Sequence, residues 1–378
     1  SCKKDDDTPP EKNFTYLVES QFIAAVNKTT VLTLANTYPE VNAVFSTKNL
    51  SDVSVFKLTY KTKNVAGEEI IASGVVIVPS TSGALPLFSY QHGTLFTYAE
   101  APSRYSTGIE TRGLATIIAS AGYAVSVPDY LGYGASENYP HPYEHAKTLG
   151  SASFDMLMAT KEFLDDNSIA LSDKLFITGY SEGGNATMAL HQYIEENSDL
   201  VITMSAPASG AYNKTAFAKD ILQRNEDLDF LPRFMWVFDA YNWIYDLNRS
   251  WSDFVNEPYA STLDAVNDPF KLADAAISHN PQTLFKIATI DGVINGTDTD
   301  LLAALADNDN FDWTPEYPIT LYYGTADDYV FPLNTLTAYD ALTLNGATVT
   351  KVAYEGADHT SAIIPYFIDM FELFESLK

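Results

Sequence analysis

Lys174-Leu175-Phe176-Ile177-Thr178-Gly179-Tyr180-Ser181-Glu182-Gly183-Gly184 is the stretch that decides how this chain is read. The run from Lys174 to Gly179 is short, apolar and rich in β-formers, which predicts a buried strand. Residues 182–195 carry a helical pattern. Between them lies Gly-x-Ser-x-Gly. A turn from strand to helix this tight leaves no room for side chains two residues either side of the serine. The serine itself is held in strained backbone geometry, with its hydroxyl exposed above the sheet. The helix that starts beneath it favours negative charge. Ser181 is therefore a candidate nucleophile. The bland alternative is a glycine-rich helix entry without chemistry, and residues elsewhere in the chain must decide.

Outward from this turn, short apolar strands alternate with helical stretches. Strands are expected at 85–90, 123–127, 174–179, 200–205, 319–323 and 348–354. Helices are expected at 111–121, 143–166, 182–195, 334–344 and 361–377. Such alternation implies an α/β fold with a mostly parallel sheet covered on both faces. Before it, Val53–Tyr60 and Ile70–Val78 read as an antiparallel hairpin turning at Ala66-Gly67-Glu68. Residues 14–50 read as an N-terminal helical segment, with a helical pattern from Tyr16 to Leu34. Residues 211–312 interrupt the alternation with helices only, too long for a structureless loop, and predict an inserted helical cap. The core is then 51–210 and 313–378, and residues 1–13, charged and holding Pro9-Pro10, read as a flexible tether.

Four further segments fall at expected strand ends. Gln91-His92-Gly93-Thr94 follows the strand at 85–90, and Pro128-Asp129-Tyr130-Leu131-Gly132-Tyr133-Gly134 follows the one at 123–127. Gly324-Thr325-Ala326-Asp327-Asp328-Tyr329-Val330 follows 319–323. Gly356-Ala357-Asp358-His359 follows 348–354, and His359 is the one histidine after Asp327. The carboxyl ends of strands are where ligands gather in an open α/β sheet.

Together these segments resemble the α/β-hydrolase superfamily, and more narrowly its secretory-lipase group. Tyr60-Lys61-Thr62, Ala72–Pro79, His92-Gly93-Thr94, Pro128-Asp129-Tyr130 and Gly179–Gly184 carry the likeness. The resemblance implies ester hydrolysis without a cofactor by a triad of Ser181, Asp327 and His359, with Asp328 as the alternative acid. It implies an oxyanion hole made by the backbone N–H groups of Glu182 and Thr94, with Gly93 the alternative to Thr94. His92 is read as an organiser of that loop rather than a base, and Asp129 as the holder of its own turn. Tyr130 and Tyr133, with Phe234 and Trp236 from the cap, are expected to line the substrate pocket. The same cap aromatics could instead glue the cap to the core.

Composition narrows the partners. Forty-nine acidic against 22 basic residues give a net charge of −27. Such a surface repels phosphate backbones, which excludes nucleic acid, and favours neutral esters. The single cysteine, Cys2, excludes an internal disulfide. Disulfides are common among secreted relatives, so this chain departs from that pattern. The start Ser1-Cys2-Lys3-Lys4-Asp5-Asp6-Asp7 resembles the processed end of a Bacteroidetes surface lipoprotein, which would make Cys2 a lipid anchor, the only membrane link expected, on an exported outer-membrane or cell-surface protein. Histidines 141, 145, 191 and 279 lack metal-ligand spacing, and Asp307–Asp312 fails the EF-hand pattern at Phe311, so no metal is expected. Nothing in the sequence sets the oligomeric state. The expected function is cleavage of carboxylic esters, either short-to-medium acyl lipids or acylated sugars, through an acyl-serine. A serine peptidase on the same fold and a non-catalytic surface binding lipoprotein are the alternatives.

Overall fold

The expected hairpin forms two neighbouring strands, Val53–Lys63 and Glu69–Pro79, of a nine-stranded sheet. In the computed structural model, residues 13–106 and 108–378 are described. Residues 1–12, with Cys2 and most of the expected tether, lie outside them. In chain order the first elements are strand β1 (Leu17–Val26), helices α1 (Lys28–Ala35) and α2 (Pro39–Phe45), then β2 (Val53–Lys63), β3 (Glu69–Pro79) and β4 (Leu85–Gln91). A π-helical turn at Ile109–Ala115 runs into α3 (Thr116–Ser120), followed by β5 (Ala124–Pro128), α4 (Ala146–Asp166), β6 (Leu171–Tyr180), α5 (Glu182–Asn197) and β7 (Met204–Ala208). After the inserted helices come β8 (Ile319–Gly324), α13 (Leu333–Leu344), β9 (Val349–Tyr354) and α14 (Ile363–Leu377). The insert consists of α6 (Lys214–Gln223), α7 (Leu231–Ile244), α8 (Trp251–Phe254), α9 (Tyr259–Asp264), α10 (Pro281–Leu284), α11 (Ile287–Ile294) and α12 (Thr299–Ala306).

The strand order is β1-β2-β3-β5-β4-β6-β7-β8-β9. The first three strands and β5 pair antiparallel, and from β5 through β9 every pairing is parallel. The parallel strands read as unbroken apolar runs because helices cover both faces; all of β4 and the last six residues of β6 are buried. Phe45, Phe88, Phe176, Phe371 and Phe374 fill one face under α2 and α14, and α4 with α5 covers the other. No helix among the described residues is long and apolar enough to cross a membrane.

Two sequence expectations need correction. Residues 17–26, expected to be helical, form edge strand β1, paired with β2 from Leu17↔Tyr60 to Val26↔Val53. An edge strand buries little; only Leu17 of this one is buried. Ladder hydrogen bonds to β2 therefore decide its state, and the side-chain pattern does not. The strand expected at 200–205 lies further on, at Met204–Ala208, where β6 and β8 bracket it. The apolar run Leu200-Val201-Ile202 is the approach to the strand, with Val201 exposed.

Candidate active site

Ser181 stands between β6 and α5 with φ 60° and ψ −122°, a strained combination for any residue but glycine. A Cβ on Gly183 would collide with the carbonyl oxygen of Gln91 at the end of β4, and one on Gly179 would meet the same atom. The glycine spacing is thus a consequence of β4 lying against the turn.

Two loops at strand ends bring their side chains to Ser181. His359 Nε2 lies 2.9 Å from Ser181 Oγ. Its Nδ1 lies 2.8 Å from Asp327 Oδ2 and 3.0 Å from Oδ1. Because Nδ1 faces a carboxylate, it carries the proton, which leaves Nε2 free to accept from the serine. Asp327 is 3% exposed, and its Oδ1 also accepts the N–H groups of Tyr329 (3.1 Å) and Val330 (2.8 Å). Asp328 is exposed. The His359 loop is held by its own carbonyl, which accepts Tyr180 Oη at 2.7 Å.

At the end of β4 the Thr94 N–H has no acceptor among the described residues, and the N–H of Glu182, in the first turn of α5, has none within its helix. Gly93 differs. Its N–H donates to both oxygens of the Glu110 carboxylate, at 3.0 and 3.2 Å, which engages it. Burial pushes the Glu110 carboxyl above its usual range, against the pull of His92 and the Gly93 N–H. His92 places Nδ1 2.7 Å from the Gly93 carbonyl and Nε2 3.3 Å from that of Asp129, spanning two loops. Asp129 accepts Ser73 Oγ and the Ser103 N–H.

Two spaces meet at Ser181. One is narrow, about 80 Å³, and lies under the inserted helices, lined by Phe217 and Ile221 of α6, Phe234 and Phe238 of α7, and Leu301 and Leu305 of α12. The other is an open cleft of about 420 Å³ bordered by Thr94, Glu100, Glu110, Arg233 and His359. Of the expected pocket residues, Phe234 lines the narrow space, whereas Tyr130, Tyr133 and Trp236 border neither. All three are buried props. Tyr130 Oη donates to the His92 carbonyl (2.9 Å), Tyr133 Oη to that of Leu95 (2.7 Å), and Trp236 stacks on Tyr143 at 4.3 Å.

Other residues at the site carry no signal in the sequence. Lys214 Nζ lies 3.1 Å from Glu144 Oε2 in the wall of the narrow space, with the two side chains 4% and 9% exposed. Asn185 of α5 donates to the same Glu144 oxygen. His141, to which no role fell, lies 2.8 Å from Glu182 Oε1, while its Nδ1 meets the Leu131 carbonyl. Each pair joins residues far apart in the chain, so no spacing announces it.

The secretory lipase family model matches residues 100–365. The chain belongs to the secretory lipase family. This secretory lipase is a carboxylic ester hydrolase with the α/β-hydrolase fold. Its structure is similar to that of a Legionella pneumophila protein assigned as a hydrolase, with 26% identity and a TM-score of 0.84 over 96% of this chain and 98% of that one. The rice cell wall degrading esterase LipA from Xanthomonas oryzae is similar at 24% identity and a TM-score of 0.81, covering 96% of each chain. Candida antarctica lipase A in its closed state shares 17% identity at a TM-score of 0.67, over 96% of this chain and 81% of that one. No curated protein sequence matches this secretory lipase.

Proposed function

We propose that this secretory lipase cleaves neutral carboxylic esters through an acyl-serine intermediate. Ser181 is the nucleophile, His359 the base and then the acid, and Asp327 the group that fixes the imidazole and stabilises its charged form. Ser181 Oγ attacks the ester carbonyl carbon as its proton passes to His359 Nε2. The carbonyl oxygen becomes an oxyanion that accepts the N–H groups of Thr94 and Glu182. Collapse breaks the bond to the alcohol oxygen, which leaves with the proton from His359. Water then attacks the acyl-serine by the same steps in reverse role and releases the acid.

The observation that carries this reading is the row Ser181–His359–Asp327, linked at 2.9 and 2.8 Å, at the meeting point of two unlike spaces. The narrow apolar space suits the acyl chain, and the open polar cleft suits the alcohol, whether glycerol or a sugar. The acidic surface favours uncharged substrates. In this reading 211–312 is a cap on a core of 51–210 and 313–378 and forms most of the acyl wall. Membership of a secretory family supports export; a lipid anchor at Cys2 would be tested by palmitate labelling of Cys2→Ala beside the wild type.

The test is hydrolysis of p-nitrophenyl esters from acetate to palmitate by the wild type and Ser181→Ala, with aminoacyl anilides alongside. Activity that peaks at short or medium chains and vanishes in the variant is expected. Preferential cleavage of the anilides would replace this reading with the peptidase, and a folded wild type inert to both would make it a binding protein.

A further inference from the structure

Among the described residues, only Ser181 and Tyr329 border both the narrow space and the open cleft. Tyr329 is 6% exposed, and its buried hydroxyl closes no hydrogen bond of ordinary length, although the Tyr143 hydroxyl and the Arg233 guanidinium interact with it. A buried hydroxyl without a good hydrogen bond has given up its bonds to water with little in return. The rest of the residue is firmly held. Its N–H donates to Asp327 Oδ1, its ring stacks on Phe230 at 4.4 Å, and it meets the His359 imidazole edge-on at 4.8 Å. Arg233 of α7 lies 5.4 Å over the same ring. The packing of the ring therefore holds the hydroxyl where it is, with only its loose contacts to Tyr143 and Arg233.

Burial pushes the phenol up to about 12, with Arg233 and Tyr143 pulling the other way, so it keeps its proton throughout the working range of an esterase. Tyr143 Oη lies 3.0 Å from Thr94 Oγ1, and Tyr143 also lines the narrow space. Tyr329 thus borders the neck between the two spaces, with its hydroxyl beside Tyr143 and Arg233.

We propose that Tyr329 is a substrate-contacting residue: its hydroxyl donates a hydrogen bond to an oxygen of the bound ester, and its ring is the partition that sends the acyl chain one way and the alcohol the other. This rests on the esterase reading above. The contact is to the ester group common to all substrates, so it acts on every acyl length alike. It strengthens as charge develops on the ester oxygens, so it acts on kcat more than on KM.

Tyr329→Phe keeps the ring and its stacking and removes only the hydroxyl. The expected result is a fall of about 10- to 100-fold in kcat/KM, mostly in kcat and similar from acetate to octanoate, with Tm unchanged or raised. Unchanged kcat/KM would overturn the proposal, because the hydroxyl would then be satisfied without substrate. A loss confined to long chains would overturn it too, because that is the mark of altered packing in the acyl space. A fluorophosphonate probe keeps the two readings apart. If the wild type is neither labelled at Ser181 nor active on esters, the esterase reading fails; if it is labelled and active and Tyr329→Phe matches it, this inference alone fails.

Discussion

The two spaces that meet at Ser181 differ in how they can discriminate. The narrow one is walled by side chains from α6, α7 and α12, and every methylene that enters it leaves water for a fitted apolar surface. That burial is worth about 0.8 kcal/mol per methylene, about fourfold in affinity. The cleft is larger and open, and carries Glu100, Glu110 and Arg233 on its walls. Groups bound there keep much of their water, and polar contacts exposed to solvent orient a ligand more than they hold it. One protein thus pairs a strict side with a permissive side, and the rate should depend steeply on the acid half of an ester and weakly on its alcohol half.

The comparison disappears if the row at the neck is broken. Asp327→Asn should lower kcat by about 10⁴-fold on every ester, because an amide cannot hold the His359 tautomer that leaves Nε2 free to accept from Ser181. Asp328→Asn should leave kcat within about twofold of wild type, since Asp328 is exposed and His359 Nδ1 bonds to Asp327 instead. Steady-state kinetics on one p-nitrophenyl ester decides, and the opposite order would move the acid to Asp328.

The strict side is held by charge at its wall. Burial raises the Glu144 carboxyl above its usual range even with Lys214 at 3.1 Å. Lys214→Met removes the cation and leaves that carboxylate buried and unpaired, at a cost of about 3–5 kcal/mol in stability. Lys214→Met with Glu144→Gln should recover most of it. Urea denaturation of both variants checks this, and equal stability of the single and double variants would show that the pair is not coupled.

How much of this was legible follows from how local each feature is. The turn at Ser181 is written in two equal spacings, because β4 excludes side chains at Gly179 and Gly183. Asp327 could be placed because it follows the apolar run Ile319–Gly324, and His359 because it is the one histidine after Asp327 and follows the mixed strand Val349–Tyr354. The helices between β7 and β8 were visible as a stretch with helical period and no strand. Strand β1 was not legible, since its state depends on pairing with β2 rather than on burial. The directions of Tyr130, Tyr133 and Trp236 were not legible either. An aromatic residue near a site can face the substrate or a backbone carbonyl, and only tertiary contacts choose between them. Glu110 on Gly93 and Glu144 on Lys214 pair across separate loops and helices, beyond any spacing rule.

The two sides should also differ in their response to pH. At the seam between core and insert, burial holds the His145 imidazole down at about 4. The unfolded chain, with an ordinary histidine near 6.5, takes up the proton first, so stability is lost as pH falls from 6.5 towards 4, by up to about 3 kcal/mol. On the cleft side the Glu110 carboxyl is raised, so the folded state binds its proton more tightly. Its contribution is present below 4.5 and is lost as pH rises through the folded pKa. Denaturation midpoints across pH should therefore respond oppositely: His145→Gln should flatten the acid limb, and Glu110→Gln should remove a decline on the way up. A variant pair that shifts the curve without changing either slope would contradict both assignments.

The smallest effect expected is also the most direct measure of the contrast between the two spaces. Ala218 lies on α6 in the wall of the narrow space and is only partly buried, so a larger side chain can be added there without overfilling the core. Ala218→Phe should deny an acyl chain the room of about two methylenes. At about 0.8 kcal/mol each this lowers kcat/KM for octanoate by about tenfold, while acetate, which never reaches that depth, is unaffected. Changing the alcohol from p-nitrophenol to a bulkier phenol should alter wild type and variant equally, because the cleft is untouched. If Ala218→Phe instead changes alcohol preference and spares chain length, the acyl chain lies in the open cleft and the assignment of the two spaces is reversed.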